Sequence, residues 1–201
     1  VGRQAILEPA EPFSRVYGHK EIFSGKQFAI FDPGAILGVS EFKKLDDPWT
    51  KYLKGKRVLV ISTHKNSIWD RWHNIDKVWG ENRKEIAPFE LEDVIRTPYH
   101  PNYDSRQFVN CSNWYETIEY IKGKMDSMSY DVLLSGASGS SPFYVEHAKM
   151  RGKIGIQVGG SLQLFFGILG GRWDSTEAYK SWRSIFNEHW IRPLEIGRAH
   201  V

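Results

Sequence analysis

The chain has 201 residues, 41% of them hydrophobic and 25% charged, with a formal net charge of +3. These values fit one globular domain with a sizeable core and exclude a disordered chain. So small a charge, without a dense Lys/Arg run, gives no footprint for nucleic acid, and a lone cysteine, Cys111, excludes a disulfide framework and points to a reducing compartment, the cytoplasm.

Residues 1–46 read as an N-terminal segment packed on or leading into the core. Their one apolar run, Phe28-Ala29-Ile30-Phe31, precedes the turn chemistry of Asp32-Pro33-Gly34, and one or two short helices or loops are expected there. Asp47-Pro48-Trp49 places an N-cap and a proline at the start of a helix that Gly55 stops. Arg57-Val58-Leu59-Val60-Ile61 is a β-branched apolar run, as in a strand buried on both faces. After the polar turn Ser62 to Asn66, Ile68, Trp69, Trp72, Ile75, Val78 and Trp79 share one helical face, and Gly80 ends that helix.

Phe89 to Ile95 predicts a more exposed strand. A helix from about Ser112 carries the stripe Trp114, Tyr115, Ile118, Ile121 and Met125. Asp131 to Leu134 predicts the next buried strand, followed by the turn Gly136 to Pro142 and a helix to Met150. Lys153 to Val158 predicts another buried strand, leading through Gly159-Gly160-Ser161 into an apolar helix, Leu162 to Phe166. Asp174 with Glu177 resembles a capping box opening a last long helix, with Tyr179, Trp182, Ile185, Phe186 and Trp190 inward. Strands each followed by a helix predict an α/β, Rossmann-like three-layer fold with a mostly parallel central sheet over residues 47–196. Residues 197–201 read as a tail added to the domain. The chain begins with Val rather than Met, so residues are expected upstream; no signal-peptide layout and no run near the roughly 18 apolar residues of a membrane span occurs.

In such a sheet the strand-to-helix turns open at one edge, where ligands bind. Ser62 and Thr63, then Gly136, Ser138, Gly139 and Ser140, then Gly159, Gly160 and Ser161 are therefore candidate ligand-binding residues. Glycine permits close backbone approach, and N–H groups at a helix start favour an anion, so the reading is a phosphate or diphosphate cradle. The plain alternative is a set of tight turns. His64, directly after a buried strand, is the candidate catalytic base or phosphate ligand, with a polar turn residue as the alternative. Arg172 on a Gly-rich stretch suits a phosphate, and Trp173 beside it suits a ring to stack on, against a helix-end arginine and a buried indole. Gly136-Ala137-Ser138-Gly139-Ser140 departs from a nucleophile elbow at its last position, and no acid-then-His order follows it, which disfavours acyl transfer. His147 reads as a surface or capping residue. Asp70 and His73 share a helix face but read as solvated, and Cys111 reads as structural. Without G-x-G-x-x-G, a dinucleotide is disfavoured.

The run Lys54 to Ile61, the stretch Asp131 to Pro142, the block Gly159 to Trp173, and Asn187-Glu188-His189-Trp190 with Arg192-Pro193 resemble a family of polysaccharide-locus proteins with the GT-D-type glycosyltransferase fold. The resemblance covers roughly residues 47–195. It implies a nucleotide-sugar donor, a glycan or other hydroxyl acceptor, and Mn²⁺ or Mg²⁺ as cofactor. The family's acidic metal-binding motif is not identified here: Asp32-Pro33-Gly34 does not match, and Gly18-His19-Lys20-Glu21 is at best a remnant. Either it lies upstream, or the protein works without metal, or it is not catalytic. The expectation is a glycosyltransferase of glycan or polysaccharide synthesis, with a non-catalytic nucleotide- or glycan-binding module and a hydrolase of a phosphorylated small molecule as alternatives.

Overall fold

A computed structural model describes Ile6–Leu7, Phe28–Ala29 and residues 49–98, 111–175 and 183–195. Strands β1 (Ile6–Leu7) and β2 (Phe28–Ala29) pair antiparallel, Ile6 opposite Ala29. The expected short helices or loops give way here to a ladder, because the apolar run of β2 finds a partner at the start of the chain. The rest of residues 1–46, with the acidic-motif candidates at Gly18 to Glu21 and Asp32 to Gly34, lies outside the described residues.

The main sheet has four parallel strands: β3 (Arg57–Ser62), β4 (Glu90–Arg96), β5 (Val132–Ser135) and β6 (Ile154–Gln157), in the order β4-β3-β5-β6. Helices α1 (Lys65–Trp72), α2 (Ile75–Trp79), α3 (Trp114–Asp126), α4 (Ser141–Met150), α5 (Ser161–Phe165) and α6 (Gly171–Ser175) complete it. Successive side chains of a strand face opposite ways. In β3, Val58 and Val60 therefore enter one core with Ile68, Val78, Trp79 and Phe165, while Leu59 and Ile61 enter another with Leu133, Ile121 and Tyr144. Both faces of β3 are dry, which is why its sequence reads as a continuous apolar run. The result is a Rossmann-like, three-layer α/β fold.

Several expectations shift. The helix read across Ile68 to Trp79 breaks in two at His73 and Asn74. Their side chains turn back onto the helix, His73 Nδ1 lying 2.7 Å from Trp69 O and Asn74 Nδ2 donating to Asp70 O at 3.2 Å. Such local bonds compete with helix continuation. Ile75, Val78 and Trp79 stay in the core, whereas Trp69 and Trp72 are half-buried. The segment after Pro48 is a 3₁₀ helix, Trp49–Leu53. On α3, Asn113 caps the helix by accepting from Glu116 N at 3.0 Å, and Tyr115 is exposed rather than inward.

Strand β6 is not buried: it is the sheet's edge, and Ile154 is 55% exposed. Its Gly155 lies under α4, where a Cβ would meet Val145 O at 2.7 Å, so close helix packing, not apolar content, marks this strand. Helix α6 starts at Gly171, ahead of the expected Asp174 cap, and residues 176–182, with Glu177, Tyr179 and Trp182, lie outside the described residues. Beyond them, residues 183–195 hold a 3₁₀ turn and a single parallel bridge, Ile168 to Ile191, in place of a long helix. Trp190 anchors that segment by donating through its indole to Val78 O at 3.0 Å.

Candidate functional site

The turns after β3, β5 and β6 meet at the carboxyl edge of the sheet. Gly136 N donates to Ile61 O at 2.8 Å and Gly159 N to Ser135 O at 3.2 Å, so each turn hangs on the neighbouring strand's end. A Cβ on Gly136 would lie 2.8 Å from Leu162 Cδ2 and 3.0 Å from Gly159 O. The two Gly-containing turns are therefore in direct contact, and only glycine fits between them.

Within the first turn the serines divide. Ser141 Oγ accepts from Ala137 N and from Ser135 Oγ, both at 2.9 Å, which closes the turn from inside. Ser140 Oγ accepts the indole proton of Trp114 at 2.8 Å. Ser138 and Gly139 are left exposed at the tip, and Gly139 has open space where a Cβ would stand. Ser138 holds a positive φ of 50°, uncommon without glycine and costly enough to be kept only by its surroundings. In the second turn Gly159 takes φ +63°, Gly160 is exposed and Ser161 is buried at the head of α5.

A part-buried polar chain runs from Trp173 through Gln163 of α5 to His64. Trp173, 2% exposed, donates its indole proton to Gln163 Oε1 at 3.1 Å. That orients the amide so that Gln163 Nε2 faces His64 Nε2 at 2.5 Å. Donor–acceptor matching makes this His64 nitrogen the acceptor and places the ring proton on Nδ1. Nδ1 looks at Glu195 Oε2 across 3.5 Å, too long for a well-formed hydrogen bond. Glu195 also accepts from Ser67 N at 2.9 Å and Ser67 Oγ at 2.6 Å. Burial alone would raise its carboxyl, but the His64 ring and both Ser67 donors hold it down at about 2.

Among the candidates of the sequence reading, Ser62, Thr63 and His64 fall at one turn, and the Gly136 and Gly159 groups fall at turns beside it. Ser62 Oγ accepts from His64 N at 3.2 Å and is buried. His64 itself is 3% exposed, with Nε2 occupied, so it ties α1, α5 and the C-terminal segment together. The Trp173 indole is enclosed in the core and offers no open face for stacking. The side chain of Arg172 lies outside what is described. Asp70 and His73 do not converge: the Asp70 carboxylate accepts from Arg71 Nε at 2.8 Å, while His73 turns to Trp69. His147 lies on the outer side of α4, its Nε2 2.9 Å from Asp126 Oδ1.

Sequence reasoning missed Gln163, Ser67 and Glu195. Gln163 had a signal, as a long polar side chain set among the apolar Leu162, Leu164 and Phe165. Glu195 had none, since 128 residues separate it from Ser67.

Among the described residues no group of three or more His, Cys, Asp or Glu side chains is placed to hold a metal ion. The carboxylates near the edge are committed, Glu195 to Ser67 and Asp93 to Lys65 at 3.1 Å. The described residues thus form no donor set for the Mn²⁺ or Mg²⁺ that the resemblance implies, and no step is drawn through such an ion. No described helix is long and apolar enough to cross a membrane. The chain matches no protein-family model, no curated protein and no solved structure. What the arrangement offers chemically is a rim of exposed glycine backbone with the Ser138 hydroxyl, beside a part-buried polar network.

Proposed function

We propose that this chain is a glycosyltransferase-like domain of the cytoplasm that binds the diphosphate of a nucleotide-sugar donor on the Ser138–Gly139 and Gly159–Gly160 tips, for transfer to a glycan or other hydroxyl acceptor. One observation carries the reading. Two glycine-bearing turns touch at the carboxyl edge of a parallel sheet, with open space around Gly139 and Gly159. Ser138 and Gly139 supply hydroxyl and backbone donors, and Gly159 and Gly160 let the diphosphate approach the backbone. In glycosyl transfer the leaving nucleoside diphosphate must be stabilised, so fixed anion donors at this rim matter more than a nucleophile. In this reading the buried His64 positions α1 and α5 and does not act as a base on the acceptor.

A second reading, a nucleotide- or glycan-binding module without catalysis, is favoured by the commitment of His64 and Glu195 to internal bonds. Calorimetric titration with a nucleoside diphosphate and its parent nucleoside tests the shared part. Gly139→Val should fold as the wild type, because the space around it is open, yet weaken the diphosphate about tenfold or more by blocking backbone approach. Unchanged diphosphate affinity in that variant would remove the tips from the site. Release of sugar from a panel of nucleotide-sugars separates enzyme from module.

A further inference from the structure

The first turn of α1 directly follows the central strand β3, at the edge where parallel α/β sheets receive phosphate. Its cap residue, His64, contributes no side-chain cap. The N–H of Ser67 instead donates to Glu195, a carboxylate from the far end of the chain. Such termini are ordinarily served by a neighbouring Ser, Thr, Asp or Asn, so an anion brought across 128 residues is an unusual tenant.

The spot has the donor set of an oxyanion site. Ser67 N and Ser67 Oγ donate at 2.9 and 2.6 Å, and the hydroxyl in turn accepts from Leu194 N at 2.8 Å. His64, 3% exposed, aims Nδ1 at the same place but completes no hydrogen bond through it, Glu195 Oε2 standing 3.5 Å away. A planar carboxylate engaged twice by Ser67 leaves the His64 donor short. A tetrahedral oxyanion has a third oxygen to give it.

We propose that the start of α1 is a phosphate-binding site, with Glu195 as its built-in occupant, and that the short stretch 192–195 is a latch a phosphoryl group displaces. Among the described contacts that stretch is held elsewhere by Arg192 Nη1 to Asp174 Oδ2 at 2.5 Å, whereas the residues before it are tied down by Asn187 and Trp190 to Val78 O and by Ile191 N to Gly167 O. Release of residues near Glu195 exposes Ser67 and the rim beside His64 while the Trp190 anchor stays seated. This site uses donors other than the Ser138–Gly139 tip, so loss of diphosphate binding in Gly139→Val leaves it standing.

Two measurements decide it, with inorganic phosphate as the probe. Glu195→Gln keeps the shape of the latch and removes its charge, and should bind phosphate about tenfold or more tightly than the wild type in ³¹P titrations. Adding Ser67→Ala should abolish that gain. In the unaltered protein, phosphate should speed hydrogen exchange at the Leu194 amide and leave β3 amides unchanged. A folded Glu195→Gln with no gain overturns the proposal, as does a gain that survives Ser67→Ala. Should Glu195→Gln fail to fold, the Leu194 amide of the wild type decides alone, and unchanged exchange at saturating phosphate overturns it.

Discussion

Gly136 and Leu162 stand so close that a Cβ on the first would lie 2.8 Å from Cδ2 of the second. This contact holds the turn after β5 against the turn after β6. Gly136→Ala should therefore destabilise the protein by about 1–3 kcal/mol, since the backbone oxygen of Gly159, 3.0 Å from that Cβ, cannot swing away as a side chain does. Gly139→Ala, in open space, should stay within about 0.5 kcal/mol of the wild type. Urea unfolding of the pair checks this, and equal stability would mean that the turns separate freely.

Removing the amide of Gln163 should be worse than removing a surface ion pair. Gln163→Met removes the acceptor of the Trp173 indole N–H and the donor to His64 Nε2 in a part-buried network. The expected loss is about 2–4 kcal/mol. Glu119→Ala, which breaks only the exposed bridge to Lys122, should cost less than about 0.5 kcal/mol. Thermal unfolding of both variants compares them, and a Gln163→Met as stable as the wild type would argue that the network is slack.

Glu195 makes stability depend on acid. Its folded carboxyl sits at about 2, against 4.5 for the free group, so the unfolded chain takes up the proton first. The contribution is fully present above pH 4.5 and is lost as pH falls toward 2, on the order of 3 kcal/mol in all. Glu195→Gln should flatten that limb of the stability curve between pH 4.5 and 2. Denaturant midpoints measured across the window test it, and parallel curves would place the acid sensitivity elsewhere.

Tyr144 makes the complementary case at alkaline pH. Burial pushes its phenol up to about 12, only partly offset by the hydroxyls of Thr97 and Ser140, and its oxygen completes no well-formed hydrogen bond. Above pH 10 the unfolded phenol ionises first, so about 2–3 kcal/mol is lost between pH 10 and 12. Tyr144→Phe should show no such loss, and at neutral pH should lie within about 1 kcal/mol of the wild type. A large neutral-pH cost would reveal a hydrogen bond that matters.

The layered fold was legible because its determinants are local. Val58 to Ile61 is apolar on every residue, which only a strand covered on both faces tolerates, and glycine or serine marks the turns after β5 and β6. The stripe of Ile118, Ile121 and Met125 marks α3 by a periodicity that needs no distant partner. Where the signal was partial, the reading slipped. Periodicity joined α1 to α2 because Trp69 and Trp72 keep the phase across the break. An apolar run promised a buried β6, but strand order alone puts it at the edge.

The site divides the same way. Its glycine turns are spelled out in sequence, since left-handed backbone at Gly159 and the close approach at Gly136 need glycine wherever the rest of the chain goes. Its interior is not. Whether His64 faces solvent or is buried depends on Gln163 from α5, and the carboxylate at the start of α1 comes from Glu195, 128 residues beyond Ser67. Local sequence determines backbone conformation residue by residue, whereas the exposure of a side chain and its partners depend on which distant segments pack over it. Only the closed tertiary structure brings those segments together.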